Sequence, residues 1–196
     1  LVKNGPRWTS SGQAAGVALT YLAQVIPSLQ ANARSDLTLG AQWSLDMQVP
    51  TAQQKDPSLA GMLHIYREKG DVTVGVEQPL ALGLRTFDAR IDVANQQLRL
   101  AVKLDGARAG QSDINATVQM LNGRIGNDSA LSLTGTTSID TLAWLAPLTG
   151  QPGLELGGAL KVALSGSGTI GALQLNGDIN GSKLLVNWAD QGLKLR

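Results

Sequence analysis

Leu37-Thr38-Leu39-Gly40-Ala41-Gln42-Trp43-Ser44-Leu45-Asp46-Met47-Gln48-Val49 alternates apolar and polar residues without a break. Every odd position is apolar, and Thr38, Gly40, Gln42, Ser44, Asp46 and Gln48 stand between them. A period of two predicts a β-strand with one apolar and one wet face. The run is longer than the usual strand of about 5–6 residues.

The same design recurs down the chain. Val72, Val74 and Val76 alternate after the turn signal Lys69-Gly70-Asp71. Leu80, Leu82 and Leu84 alternate, the phase slips at Arg85-Thr86, and Phe87, Ala89, Ile91 and Val93 resume it, which predicts a bulge or tight corner. Leu98, Leu100, Val102 and Leu104 mark another strand, and Ile114, Ala116, Val118 and Met120 the next. Leu131 and Leu133 begin one more, and further runs cover Leu154 to Leu164, Leu173 to Ile179 and Leu184 to Trp188. Leu59 to Glu68 is ambiguous in phase. Asn122-Gly123, Asn176-Gly177 and Asn180-Gly181 read as turns, because both residue types accept positive φ. Short links between alternating strands favour an antiparallel meander.

Two segments read as helices. Val17, Tyr21, Leu22, Val25 and Leu29 recur at steps of three and four and predict a helix over Ser11 to Asn32, disturbed by Pro27. Leu142, Leu145 and Ala146 predict a short helix over Ser138 to Leu148, closed by Pro147. Tyr21-Leu22-Ala23 and Trp144-Leu145-Ala146 each precede a long strand, a loose repeat that suggests a modular, elongated architecture. The chain divides into a leading helical segment (1–35), an amphipathic β meander (36–137), a short helix with its loop (138–152) and a continuing β repeat (153–196).

Composition narrows the function. The 196 residues include 23 Gly, one His and no Cys. Without Cys there is no disulfide framework or thiolate metal site, and one His excludes a multi-histidine zinc site. Lys and Arg total 16 against 15 Asp and Glu, so no net field gathers nucleic-acid phosphates. The apolar share is 43% and the aromatic share only 4%, so the apolar content is mostly aliphatic. Ala14 to Leu29 is the longest apolar stretch, but it is shorter than the ~20 residues of a membrane span and is interrupted by Thr20, Gln24 and Pro27. The start at Leu1-Val2-Lys3-Asn4 and the end within an alternating pattern suggest an internal segment of a longer chain.

The motifs that carry chemistry elsewhere do not do so here. Gly166-Ser167-Gly168-Thr169-Ile170-Gly171 matches G-x-G-x-x-G, but a dinucleotide fingerprint must open a helix. Ala172-Leu173-Gln174-Leu175 continues with period two, which predicts a glycine-rich hairpin turn. His64 has no Ser and Asp placed near it by sequence and reads as a strand histidine with an ordinary hydrogen bond. Asp36, Asp46, Asp88, Asp92, Asp105, Asp178 and Asp190 fall on polar strand faces or in turns, without metal-ligand spacing. Arg67-Glu68-Lys69 is no basic stripe, and the sequons at Asn115, Asn127 and Asn180 are chance-level patterns.

What remains is the aliphatic face. Its simplest reading is the core of a closed β-sandwich. Its functional reading is an open groove, a sheet curled into a half-pipe with Leu, Val and Ile on its concave side. Such a surface would exceed the apolar patch usual on soluble proteins and would imply a ligand. The candidate lining residues are Leu37, Leu39, Trp43, Leu45, Met47, Leu98, Leu100, Val102, Leu104, Leu160, Val162, Leu164, Leu173 and Leu175. Aliphatics suit acyl chains because they offer area without directional demands, at about 25 cal/mol per Å² buried. The same groove would suit nascent β-strands held by edge pairing and apolar contact.

The order and spacing of several pieces resemble the TamB family of AsmA-like envelope proteins of Gram-negative bacteria. They are Gln42-Trp43-Ser44-Leu45, Arg67-Glu68-Lys69-Gly70-Asp71-Val72-Thr73-Val74 and Pro79-Leu80-Ala81-Leu82-Gly83-Leu84. Further on come Ile139 through Leu148, Leu156-Gly157-Gly158-Ala159-Leu160, Gly166-Ser167-Gly168-Thr169 and Leu173 through Ile179. The resemblance covers most of the chain from Trp43 onward. One departure is Ile170-Gly171-Ala172, where the family's Gly-Thr turn usually continues toward a proline. The resemblance implies a periplasmic β-structure, elongated and curved like a taco shell, in a parent anchored in the inner membrane. It implies a hydrophobic groove that carries phospholipid toward the outer membrane, and a part in outer-membrane β-barrel assembly with the BamA-like barrel protein TamA. It brings no catalytic residues and no cofactor.

Overall fold

In the computed structural model, residues 2–21, 33–51, 57–75 and 79–195 are described. The strands are β1 (Val2–Asn4), β2 (Arg7–Ala18), β3 (Ala33–Ser35), β4 (Thr38–Gln48), β5 (Ser58–Lys69), β6 (Val72–Val74) and β7 (Leu80–Ala81). They continue as β8 (Leu84–Ala94), β9 (Gln97–Gly106), β10 (Gly110–Gln119), β11 (Ala130–Ile139), β12 (Leu154–Thr169), β13 (Ala172–Trp188) and β14 (Leu193–Leu195). Eleven of them form one antiparallel sheet in the order β1-β2-β4-β5-β8-β9-β10-β11-β12-β13-β14, a meander that follows chain order and skips only β3, β6 and β7. The sheet does not close on itself. β3, β6 and β7 form a second, three-stranded sheet.

β4 coincides with the alternating run that predicts it. The phase slip at Arg85-Thr86 is a register shift between Leu84 and Thr86 against β9. Asn122-Gly123 is a turn, with both residues at positive φ (52° and 71°). The glycine-rich motif after Leu164 builds a hairpin in which Thr169 pairs with Ala172 across Ile170-Gly171.

Three expectations are corrected. The predicted leading helix is strand over Ser11–Ala18, and only Leu19, Thr20 and Tyr21 are helical among its described residues. Residues 22–32, which hold most of its apolar periodicity, lie outside the described residues, as does Val76. Gly12 and Gly16 weaken a helix there, while β2 gains a partner in β4 from Arg7↔Gln48 to Ala18↔Thr38. Asn176-Gly177 and Asn180-Gly181 are not turns but lie within β13. A turn dipeptide turns only when its flanks can pair with each other. Here β12 offers a partner throughout, with Leu164 opposite Gly177 and Leu160 opposite Gly181. The second helix is a 3-10 helix over Ala143–Thr149 with Pro147 inside it, and Ser138 and Ile139 belong to β11.

The core sits at one end of the large sheet. Leu37, Leu39 and Leu84 form its buried cluster, packed by Leu19, Ile65, Val72, Leu82, Phe87, Leu104 and Ala109. The short second sheet therefore covers only this end. That distinguishes the fold from a sandwich whose second sheet seals the whole face. The Asp71 carboxylate fixes the cover in place. It accepts backbone N–H bonds from Val72 (2.8 Å) and Leu84 (3.0 Å) on Oδ1 and from Gly83 (2.7 Å) on Oδ2. The Asp71 N–H in turn donates to Asp36 Oδ1 at 2.6 Å. The whole chain exposes 12660 Å², where a compact chain of this size exposes about 8,900 Å². Among the described residues the buried apolar side chains are few: Leu37, Leu39, Leu84, Val93, Met120 and Ala146.

Candidate functional site

Directly opposed residues of an antiparallel sheet share a face, so register sorts the side chains. One row runs Gly12, Trp43, Leu63, Ile91, Leu100, Ala116, Leu133, Gly166, Leu175 from β2 to β13. The row beside it runs Ser10, Leu45, Gly61, Val93, Leu98, Val118, Leu131, Gly168, Leu173. On the other side lies Ala14, Ala41, Ile65, Ala89, Val102, Ile114, Gly135, Leu164, Gly177. A shorter row joins Phe87, Leu104, Ser112, Thr137, Val162 and Ile179.

The opposite face is polar. Its central row runs Gln13, Gln42, His64, Arg90, Ala101, Asn115, Thr134, Ser165, Asn176. Several of its charges are paired, two across neighbouring strands and one along β8. Arg7 Nε donates to Asp46 Oδ1 at 2.9 Å, Arg85 Nη2 to Asp105 Oδ1 at 2.7 Å, and Arg90 Nε to Asp92 Oδ2 at 2.7 Å. Hydrogen bonding to the guanidinium holds the carboxyls of Asp46, Asp105 and Asp92 below their usual pKa. Burial pushes the Asp71 carboxyl up, but the amides of Leu84, Gly83 and Val72 and the charge of Arg67 together bring it below the usual value. His64 Nε2 pairs with Asp88 Oδ2 at 2.7 Å, and its ring lies 5.1 Å from that of Tyr66. This is the strand histidine with a hydrogen bond that the sequence suggests.

Of the residues singled out from the sequence, Trp43, Leu45, Leu98, Leu100, Val102, Leu104, Val162, Leu164, Leu173 and Leu175 all fall in the apolar rows. Met47 follows Leu45 by two residues and lies between Trp8 and Leu59. Leu160 lies between Ile139 and Gly181. Leu37 and Leu39 are different. Each is only 5% exposed within the core cluster. Leu104 packs against that cluster. The cover of the second sheet takes Leu37 and Leu39 out of reach of a ligand on this face.

Sequence reasoning missed Leu63, Ile91, Val93, Ala116, Val118, Leu131 and Leu133, which stand in the same rows as Trp43, Leu100 and Leu98. The signal was present in the period-two runs around Ile91, Val118 and Leu133. Leu63 was hidden because Met62 and Tyr66 make β5 apolar on both faces.

The face is not flat. An apolar depression of about 250 Å³ is lined by Trp43, Leu45, Gly61, Met62, Leu63, Ile91 and Val93. Gly61 stands between Leu45 and Val93 and supplies no side chain to fill it. A larger concavity of about 600 Å³ is lined mainly from the polar face, by Lys103, Asp105, Gln111, Asp113, Thr136, Ser138, Lys161 and Asn180, with Leu104 and Val162 beside them. A twisted sheet is saddle-shaped, so each face is concave along one diagonal.

Among the described residues no group of three or more His, Asp or Glu is arranged to hold a metal ion. Among them, no helix is long and apolar enough to cross a membrane. No family model, curated protein or solved structure matches the chain.

Proposed function

We propose that this chain is a segment of a TamB-type envelope conduit, whose sheet curls so that its apolar face forms a lipid-bearing groove. In this reading phospholipid acyl chains lie across the rows through Leu100, Leu98 and Val102 while the polar face stays in periplasmic water. The parent protein would be held in the inner membrane by a span elsewhere and would act with an outer-membrane barrel protein of the TamA type in assembling other barrels.

The observation that supports it most is the row Trp43, Leu63, Ile91, Leu100, Ala116, Leu133. It places apolar side chains side by side across six strands. The second sheet packs at the Leu39 end, beside this row rather than over it. Apolar side chains that the second sheet leaves uncovered are best explained by an apolar ligand without directional demands.

The test uses the two faces of one strand. A photoreactive side chain at Leu100 should yield phospholipid adducts in cells, and the same group at Ala101, on the polar face, should not. Leu100→Asp should block lipid passage while circular dichroism shows the sheet intact. Capture of barrel precursors without lipid would replace the conduit by a strand-holding chaperone. Equal lipid capture at both positions, or capture of neither lipid nor barrel precursor at either, would sink both groove readings.

A further inference from the structure

We infer that the apolar depression on β4, β5 and β8 is a seat for one acyl chain of a phospholipid, with its tail toward Ile65 and its phosphate toward Arg124. The inference rests on the groove reading and adds which way the lipid lies. The depression is lined by Trp43, Leu45, Gly61, Leu63, Ile91 and Val93. All three strands are paired on both sides, so the seat belongs to the interior of the sheet and to neither margin.

Two glycines make the space. A Cβ at Gly12 would meet the Trp43 indole, so the ring lies over β2, where its Nε1–H donates to Ser10 Oγ at 3.1 Å. The indole therefore leans away from β5. Gly61 stands between Leu45 and Val93, and a Cβ there would strike the Ser44 carbonyl oxygen, so no side chain fills the gap. With the Trp43 N–H already engaged, the lining makes no directional demand on a ligand. An aliphatic cavity of about 150 Å³ takes one benzene ring. At about 250 Å³, this depression has room for about ten carbons.

The two ends of the seat differ. Beyond Leu63 the next residue of the apolar face is Ile65, which packs against the buried cluster of Leu37, Leu39 and Leu84. A phosphate there would lose its water without gaining a partner. In the other direction β5 runs back through Leu59 to Pro57, about 13 Å from Gly61 at about 3.3 Å per residue. The loop between β10 and β11 reaches this point. Its Met120 N–H donates to Gln96 O at 2.7 Å, and Gly123 lies against the Pro57 carbonyl. Arg124 follows. It is exposed, and its guanidinium has no partner among the described residues. Arg7 and Asp46 pair with each other. Asp128 stands at the far foot of the loop, beside Asn127, whose carbonyl accepts the Gly171 N–H at 2.8 Å. A seat that ends in a sealed core on one side and at an unpaired guanidinium on the other fits an amphiphile with an anionic head.

Two tryptophans mark the depth. Trp8 lies opposite Met47, and Trp43 stands four residues deeper along β4. The experiment is fluorescence of the 196-residue chain with phosphatidic acid in detergent micelles. Trp8→Phe with Trp144→Phe and Trp188→Phe leaves Trp43 as reporter, and Trp43→Phe in place of Trp8→Phe leaves Trp8. Lipid brominated near the terminal methyl should quench Trp43 more than Trp8, and lipid brominated near the glycerol should do the reverse. Arg124→Gln, which alters no packed residue, should weaken phosphatidic acid binding roughly fivefold and leave diacylglycerol with the same chains unaffected. The opposite order of quenching, or equal quenching of both tryptophans by both lipids, would overturn the inference. So would an Arg124→Gln variant that binds phosphatidic acid as wild type does or loses both lipids alike. Absent quenching while Leu100 still yields lipid adducts would remove this seat and leave the groove; absence of both would remove the groove with it.

Discussion

Replacing Asp71 by asparagine tests how the short second sheet is held on the apolar face. The wild-type carboxylate accepts three backbone N–H groups, from Val72 and Leu84 on one oxygen and Gly83 on the other. Asparagine keeps one acceptor oxygen for Val72 and Leu84 but turns an NH2 toward the Gly83 N–H. One charge-assisted bond is lost, worth about 1.5–3 kcal/mol, and the other two become neutral. The expected cost is about 2–3 kcal/mol. For a chain of this length each kcal/mol moves the melting temperature by about 2–4 °C, so the variant should melt about 4–12 °C lower. The pH dependence supplies a second reading. The folded pKa of Asp71 lies below its ordinary value. Its stabilisation is therefore fully present above the unfolded pKa of about 3.9 and is lost as pH falls below that toward the lower folded value. The gap between wild type and variant should be constant near neutrality and should shrink in acid below about pH 4. Urea unfolding of both proteins across pH measures it. If the variant lies within about 0.5 kcal/mol of wild type at neutral pH, Asp71 does not hold the cover and the reasoning fails.

Other expectations rest on single contacts. Gly61 has φ 148°, and a Cβ there would strike the Ser44 backbone carbonyl, so Gly61→Ala should cost about 2 kcal/mol or more in denaturant unfolding. A stability within experimental error of wild type would show that β4 and β5 separate freely at this point. The Arg85 and Asp105 pair is largely exposed on its arginine side, so Arg85→Ala should leave the denaturant midpoint nearly unchanged, and any difference should vanish in high salt. A larger loss would mean that Arg85 holds the corner between β7 and β8 through more than this ion pair.

The meander was legible because β4, β9 and β10 obey a period of two strictly enough to mark both strand and face. Register could not be read. It depends on which strands meet and on the shifts at Leu84, Ala14 and Gly158, and each shift moves side chains that sequence counts only by parity. β2 was misread because a few apolar residues near Tyr21 sit at helical spacing, while its strand partner lies beyond Asp36. The Asn-Gly pairs in β13 misled for a related reason. Their backbone permissiveness is real, but pairing with β12 along the whole strand outweighs a local turn. Burial of Leu37 and Leu39 was equally hidden, because the cover comes from Val72, Leu82 and Leu84 and nothing in the alternating run announces it.

The meander also sets how such a sheet can be assembled and lengthened. Each main-sheet strand draws its hydrogen bonds from the main-sheet strands before and after it, β4 reaching back past β3 to β2 and β8 past β6 and β7 to β5. Loop closure is therefore cheap at nearly every step, and folding can propagate hairpin by hairpin instead of waiting for distant segments to meet. Stability in such an array is a sum of nearest-neighbour terms, so a hairpin can be inserted or removed without re-registering the rest. Width across the strands is thereby a quantity that gene length alone can tune, one hairpin at a time, at about 9–10 Å for each pair of strands added.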